Sequence, residues 1–226
     1  MPESPTIIAL VPMRHNSERV PGKNYRDLAG KPLYAWIIEV LQAVPAVSGI
    51  LVDTDSPPVM DGLRADYPDV TVIERPEHLR DGHIPMTDIL LHDTAQVPAD
   101  YYLQTHSTNP LLRPATIAAA IDAFLANRAS HDSLFSVTPL HTRLYAEDGT
   151  AINHNPAELL RTQDLPPIYE ENSCLYLFSR DTLISYHHRL GPHPLMFPID
   201  PAEAWDIDEE LDFQIADFLM RQRLKT

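Results

Sequence analysis

Short apolar runs alternate with longer amphipathic stretches along most of the chain. Ile7-Ile8-Ala9-Leu10-Val11 is apolar at every position and is stopped by Pro12, the pattern of a strand buried on both faces. Over residues 33–44, Leu33, Trp36, Ile37, Val40, Leu41 and Val44 recur at helical spacing and form one stripe. The alternation continues with strands over 50–52, 70–73, 101–103 and 134–137, and helices over 58–67, 86–97 and 114–126. Such alternation predicts parallel strands joined by right-handed crossovers. The expected fold is an α/β/α three-layer sandwich around a mainly parallel, Rossmann-like sheet.

The pattern dissolves after Pro139. Residues 141–171 hold no clean period and carry Pro156, Pro166 and Pro167, so they read as an excursion from the sheet. Either a dimerisation arm or a long surface lobe fits such a stretch. A strand over 175–178 and an amphipathic helix over 211–224 close the chain. With no internal repeat and no low-complexity tract, the expectation is one domain over 1–226 with the excursion inside it.

Composition narrows the function. The chain has 226 residues, 17 basic against 32 acidic, a net charge of −15 and a pI near 5.0. Long-range repulsion therefore opposes a nucleic-acid or anionic-membrane partner. The single cysteine, Cys174, excludes an intrachain disulfide or a multi-cysteine metal site, and within an apolar strand it reads as inert. No apolar run approaches the roughly 20 residues of a membrane span, and the N-terminus lacks a basic leader region. The expected location is the cytoplasm.

Against this acidic background the cations are unevenly placed. Two of three lysines, Lys23 and Lys31, fall within residues 14–31, with Arg14, Arg19 and Arg26, against only Glu18 and Asp27. The island follows the end of the first predicted strand, where α/β sheets bind ligands. A local positive site in an acidic protein focuses a small polyanion, and a phosphate chain is the natural guest; a solvated charged loop is the bland alternative. Neither a GxGxxG nor a Walker A loop can be written, because Gly22 and Gly30 are the only glycines there.

Val11-Pro12-Met13-Arg14-His15-Asn16-Ser17-Glu18-Arg19-Val20-Pro21-Gly22-Lys23-Asn24 resembles the signature loop of the CMP-sugar synthetases, the acylneuraminate cytidylyltransferase family. The resemblance implies that Arg14, Asn16, Ser17, Lys23 and Asn24 cradle the triphosphate of CTP, with Arg14 and Lys23 acting in catalysis. Met13 departs from the family's alanine, and Glu18 stands where a cation is frequent. Further matches follow in order. Arg26 to Leu33 resembles the family's lead into its first helix, and Val52-Asp53-Thr54-Asp55-Ser56 its turn after the second strand. Glu74-Arg75-Pro76-Glu77-His78-Leu79 implies a nucleotide contact at Arg75.

Leu103-Gln104 and Thr108-Asn109-Pro110-Leu111 resemble the loop bordering the sugar pocket, here lengthened around Thr105-His106. Arg161-Thr162-Gln163-Asp164-Leu165-Pro166-Pro167-Ile168-Tyr169 and Asn172-Ser173-Cys174-Leu175-Tyr176 resemble two more family segments, with Thr162 replacing a second arginine. Substrate binding by Gln104, Arg161, Gln163 and Asn172 is thereby implied, Arg143 being a further cation that the excursion brings within reach. The family also implies a homodimer whose active sites are completed by the partner.

Asp206-Ile207-Asp208 alternates two carboxylates about one apolar residue, so in extended chain both point the same way. Two hard oxygen donors suit Mg²⁺, which takes its remaining ligands from water and substrate phosphates. N-terminal capping of the last helix, with Asp208, Glu209 and Glu210 near the positive end of its dipole, is the alternative. The resemblance favours metal binding at Asp206 and Asp208, and leaves Asp212 to the helix.

The function expected from the sequence is a nucleotidyltransferase that activates an acidic sugar, a nonulosonic or octulosonic acid, with CTP. Its products would be a CMP-sugar and pyrophosphate. A catalytically impaired nucleotide-binding relative, or a same-fold enzyme using another NTP or sugar phosphate, is the alternative. A phosphatase of haloacid-dehalogenase type, with Asp53 as nucleophile, needs a downstream lysine, where the sequence offers only Lys225 beside its last residue, and it leaves the basic island unexplained.

Overall fold

A computed structural model describes residues 4–225. A seven-stranded sheet runs in the order β5-β4-β1-β6-β8-β7-β9, made of β1 (Ile7–Leu10), β4 (Gly49–Thr54), β5 (Thr71–Glu74), β6 (Tyr101–Gln104), β7 (Ser133–Leu140), β8 (Ile168–Phe178) and β9 (Pro194–Pro198). A two-residue hairpin, β2 (Asp27–Leu28) with β3 (Lys31–Pro32), stands apart. The helices are α1 (Leu33–Gln42), α2 (Pro57–Asp66), α3 (Met86–Gln96), α4 (Pro114–Asn127), α5 (Arg180–Tyr186) and α6 (Glu210–Arg223). Among the described residues no helix is long and apolar enough to cross a membrane.

The first strand behaves as its composition predicts. Ile7, Ala9 and Val11 join the core under α1, α2 and α4, while Ile8 and Leu10 join the core under α3 and α5. Both faces are covered, so every position must be apolar. Each fully buried aliphatic side chain contributes about 1.5–3 kcal/mol. A third cluster gathers Val20, Leu28, Leu33, Leu111, Ile207 and Phe213, and ties the basic island to the chain's last helix.

The sheet is parallel except at β8, which pairs antiparallel with both β6 and β7. No crossover helix separates β7 from β8, so the chain can only return antiparallel. The predicted excursion is shorter than expected, because β8 begins at Ile168 rather than near 175. Pairing Val137 to Glu171 through Leu140 to Ile168 makes a two-stranded ribbon. Its outer residues Tyr169, Glu170 and Glu171 are exposed, which removes the apolar alternation that would have marked a strand. Beyond the ribbon lie an isolated bridge between Tyr145 and Ala151 and a 3₁₀ turn over Thr162–Asp164. Helix α5 and edge strand β9 were not legible. The first is only seven residues long, and the second is bounded by prolines.

Candidate active site

A cavity of about 980 Å³ opens over the C-terminal ends of β1, β4 and β6. The chain runs outward from β1 through β4 to β5 and then returns to β6 on the other side of β1. This switch in direction parts the loops and makes a crevice. Arg14, Asn16, Ser17, Lys23, Asn24, Arg75, Asp206 and Asp208 all line it.

The loop after β1 is braced at several points. The amide of Asn24 donates to the Arg14 carbonyl at 2.9 Å and its Oδ1 accepts from Ser107 at 2.7 Å, so it serves as a strut with both ends engaged. His15 donates its backbone N–H to Asp55 at 2.7 Å. Ser17 Oγ accepts from the Val20 amide at 3.3 Å. Gly22 has φ +67°, and a Cβ there would meet the Tyr25 ring at 2.8 Å, so this turn requires glycine.

The island divides by what its cations touch. Arg26 pairs with Glu210 at 2.7 Å and stacks on Phe213; Lys31 pairs with Glu39 and lies over Trp36. Both are outside the cavity lining. Arg14, Arg19 and Lys23 face it, and the Arg14 guanidinium makes no hydrogen bond or ion pair with a described residue. Only part of the island is therefore available to an anion.

Ile207 is buried in the third cluster and its N–H donates to the Thr108 carbonyl at 3.0 Å. Asp206 and Asp208 on either side line the cavity. Lys23 Nζ donates to the Ile207 carbonyl between them. Burial lowers the Lys23 pKa against the opposing pull of Asp206 and Asp208, and burial raises that of Asp206. Asp206 Oδ1 is buried with no hydrogen-bond partner, and Asp208 pairs with Arg19 at 2.7 Å. Of the acids that could cap the last helix, Glu209 does so and Asp208 does not. Glu209 is the N-cap of α6, and Asp212 Oδ2 accepts from the N–H of Asp208 at 3.1 Å and of Glu209 at 2.7 Å. An unpartnered carboxylate oxygen beside a second carboxylate is a donor set that fits Mg²⁺.

Other expected residues lie elsewhere. Arg161 is 72% exposed and forks onto Asp164 at 2.7 and 2.9 Å, while Gln163 is exposed on the same 3₁₀ turn. Neither lines the cavity of its own chain, and Arg143 is tied to the Leu160 carbonyl. Asn172 is turned into the sheet: its Oδ1 accepts from Ser136 at 2.6 Å and its Nδ2 donates to Thr138 at 3.0 Å. Gln104 is buried, held by Arg189 and His106 behind the cavity wall.

Arg75 is more enclosed than a ligand contact requires. It is 1% exposed, donates from Nε to Asp53 at 2.9 Å, and reaches the Asp53 carbonyl from Nη2 at 3.2 Å. Asp53 is thus sealed beneath the loop and outside the cavity lining, which removes it as a nucleophile. Asp93 of α3 is buried against this pair, and its pKa is pushed up to about 9, first by burial and then by Asp53. Burial beside Asp53 favours the protonated form of Asp93, which lowers the repulsion between the two carboxyls. Asp53, His92 and Asp93 bring potential metal ligands within 4.8 Å of one another, but Arg75 already supplies the positive charge. Asp93 left a trace in the sequence as an acid four residues after Ile89, in step with the helix's buried positions. Both Arg189 and His106 line the cavity; His106 is marked in the sequence by the lengthened loop it belongs to, and Arg189 has no motif to announce it.

A polyphosphate-sized crevice at a sheet switch point, with a basic loop facing two carboxylates, defines the class as an α/β nucleotide-binding enzyme. The particular family follows from comparison. The cytidylyltransferase family profile matches residues 8–223, and the chain belongs to that family. It is 26% identical to "Post-translational flagellin modification protein B" of Campylobacter coli over 96% of both chains. It is 28% identical to the CMP-N,N'-diacetyllegionaminic acid synthase of Legionella pneumophila, over 95% of this chain and 96% of that one. Among solved structures, a CMP:2-keto-3-deoxy-manno-octonic acid synthetase complexed with CTP aligns with a TM-score of 0.74 at 19% identity. The alignment covers 96% of this chain and 99% of the other.

Proposed function

We propose that this cytidylyltransferase activates an acidic sugar of the nonulosonic or octulosonic class with CTP, releasing pyrophosphate. The observation that carries this reading is the meeting of the chain's two ends, where Lys23 donates to the Ile207 carbonyl between Asp206 and Asp208. The acceptor's anomeric oxygen forms a bond to the α-phosphorus, the bond from that phosphorus to the β-phosphate bridge breaks, and the hydroxyl proton leaves. Arg14 and Lys23 hold the triphosphate and offset charge as pyrophosphate departs. Asp206 and Asp208 would hold Mg²⁺, which supplies charge neutralisation to the phosphates when bound. Relatives named for legionaminic and 3-deoxy-manno-octulosonic acids support the acceptor class.

Two subunits that exchange their arms would bring Arg161 and Gln163 into the partner's site. Leu144, Tyr145, Ile152, Leu159, Leu160 and Tyr169 are exposed on this arm, an apolar surface that a second copy would cover. A fully active monomer by light scattering at micromolar concentration overturns that assembly.

The deciding test is a panel of purified protein with each NTP and N-acetylneuraminate, legionaminate, pseudaminate or 3-deoxy-manno-octulosonate, read as pyrophosphate release. CTP should be preferred, EDTA should abolish turnover, and Asp208→Asn should do the same at unchanged melting temperature. Preference for a neutral sugar phosphate overturns the reading.

A further inference from the structure

An acidic acceptor brings a carboxylate into the cavity, and a buried charge without a fixed partner is heavily penalised. Most lining cations are engaged elsewhere. Arg75 is held by Asp53, Arg80 by Glu74 and the Arg75 carbonyl, and Arg19 by Asp208. Arg14 and Lys23 belong to the loop assigned to the triphosphate. Arg189 remains. It lies at the β8 end of the cavity near Ser173 and His106, with its side chain 18% exposed.

Its setting is built rather than incidental. The guanidinium lies over the Tyr176 ring, 3.3 Å from the centroid, which fixes its plane. Nη1 donates to Gln104 Oε1 at 2.7 Å. Glu171 forms only a loose ion pair with Nη2 at 3.7 Å, beyond hydrogen-bond distance, and accepts its hydrogen bond from the Tyr176 hydroxyl instead. Arginine can only donate, so the orientation of the Gln104 amide is determined: its oxygen faces Arg189 and its nitrogen faces His106 Nε2 at 3.1 Å. His106 Nε2 must then be the acceptor, which leaves the imidazole neutral with its proton on Nδ1. Burial and the nearby Arg189 and Lys23 hold its pKa down at about 4, in agreement with that state.

We propose that Arg189, oriented by Tyr176 and Gln104, is the residue that binds the acceptor's carboxylate in each subunit's own cavity. Gln104 and His106 are positioning residues in this arrangement. The proposal rests on the acidic-sugar reading above. It assigns to Arg189 the fixed cation that Arg161 does not provide within one chain, and makes the site selective for an acid over its neutral counterpart.

The test uses the most active acid of the panel, supplied as free acid and as methyl ester, with wild type, Arg189→Ala and Arg189→Lys. Wild type should prefer the acid by at least tenfold in kcat/KM. Arg189→Ala should raise the KM for the acid at least tenfold, leave the KM for CTP within about twofold, and erase the acid-to-ester preference. Arg189→Lys, which keeps the charge but not the fork, should fall between the two. If Arg189→Ala fails to fold, the Arg189→Lys preference ratio decides the matter. An unchanged ratio, or equal rises in both KM values, overturns the assignment while the reaction stands. A wild type that turns over none of the acids with CTP overturns the reaction, and the assignment falls with it.

Discussion

Two clusters of opposite charges lie close together in this protein, and they differ in what water can reach. At the cavity, Arg14 and Lys23 face Asp206 and Asp208, with an open guanidinium on one side and an unpartnered carboxylate oxygen on the other. Beneath the same loop, Asp53, Arg75 and Asp93 are buried, at 1% exposure or less, although Arg75 also borders the cavity. The residue types are nearly the same. In the cavity cluster the Arg14 guanidinium and the half-exposed Asp208 carboxylate border the cavity, where a phosphate or a cation can reach them. In the buried cluster the Arg75–Asp53 ion pair holds the strand end that carries the Met13 and Arg75 backbone contacts at 2.8 and 3.0 Å, although Arg75 Nη1 and Asp53 Oδ2 make no hydrogen bond.

That contrast can be broken most directly by removing Arg75. Asp53 would be left buried without its partner, a loss of about 3–5 kcal/mol. Urea unfolding of Arg75→Met should show it, and an unchanged midpoint would mean that Arg75 is a ligand contact rather than part of the support. Lys23→Ala tests the other side. Transition-state stabilisation should fall by about 2–4 kcal/mol in kcat/KM while stability is kept. Near-normal kcat/KM would remove Lys23 from catalysis.

Asp93 gives the comparison a pH dependence. Its folded-state pKa of about 9 lies far above the ordinary 3.8, so the fold holds this proton more tightly than the unfolded chain does. Its contribution is complete below the ordinary value and is lost as pH rises toward the folded one. Stability should therefore decline between about pH 5 and pH 9, and Asp93→Asn should flatten the decline, because an amide N–H can replace the carboxyl proton toward Asp53. Identical slopes in both proteins would show that Asp93 is ionised. The smallest effect belongs to Lys31→Ala. This cation of the island is paired with Glu39 away from the cavity, so kcat/KM should stay within about twofold and stability within about 0.5 kcal/mol.

Much of this is legible in the amino-acid sequence. Strand β1, the helices α1 to α4 and the closing helix α6 follow from apolar periodicity, because each buries one stripe or two faces and the sequence must supply them. The loop from Arg14 to Asn24 stands out because its cations are concentrated at an element's end, whereas Asp206 and Asp208 are singled out only through the family resemblance, their charges alone fitting a helix N-terminus as well. Tertiary structure alone decided which charges remain free. Arg26 and Lys31 turn to Glu210 and Glu39, and Asn172 turns to Ser136 and Thr138. Arg161 stays on the arm, and Arg189 comes into the cavity from beyond α5. Local pattern records which residues are buried, since burial has a period. Which partner a charge meets depends on residues that are distant in the chain, such as Lys23 with Ile207 or Gln104 with Arg189, and no local period carries that information.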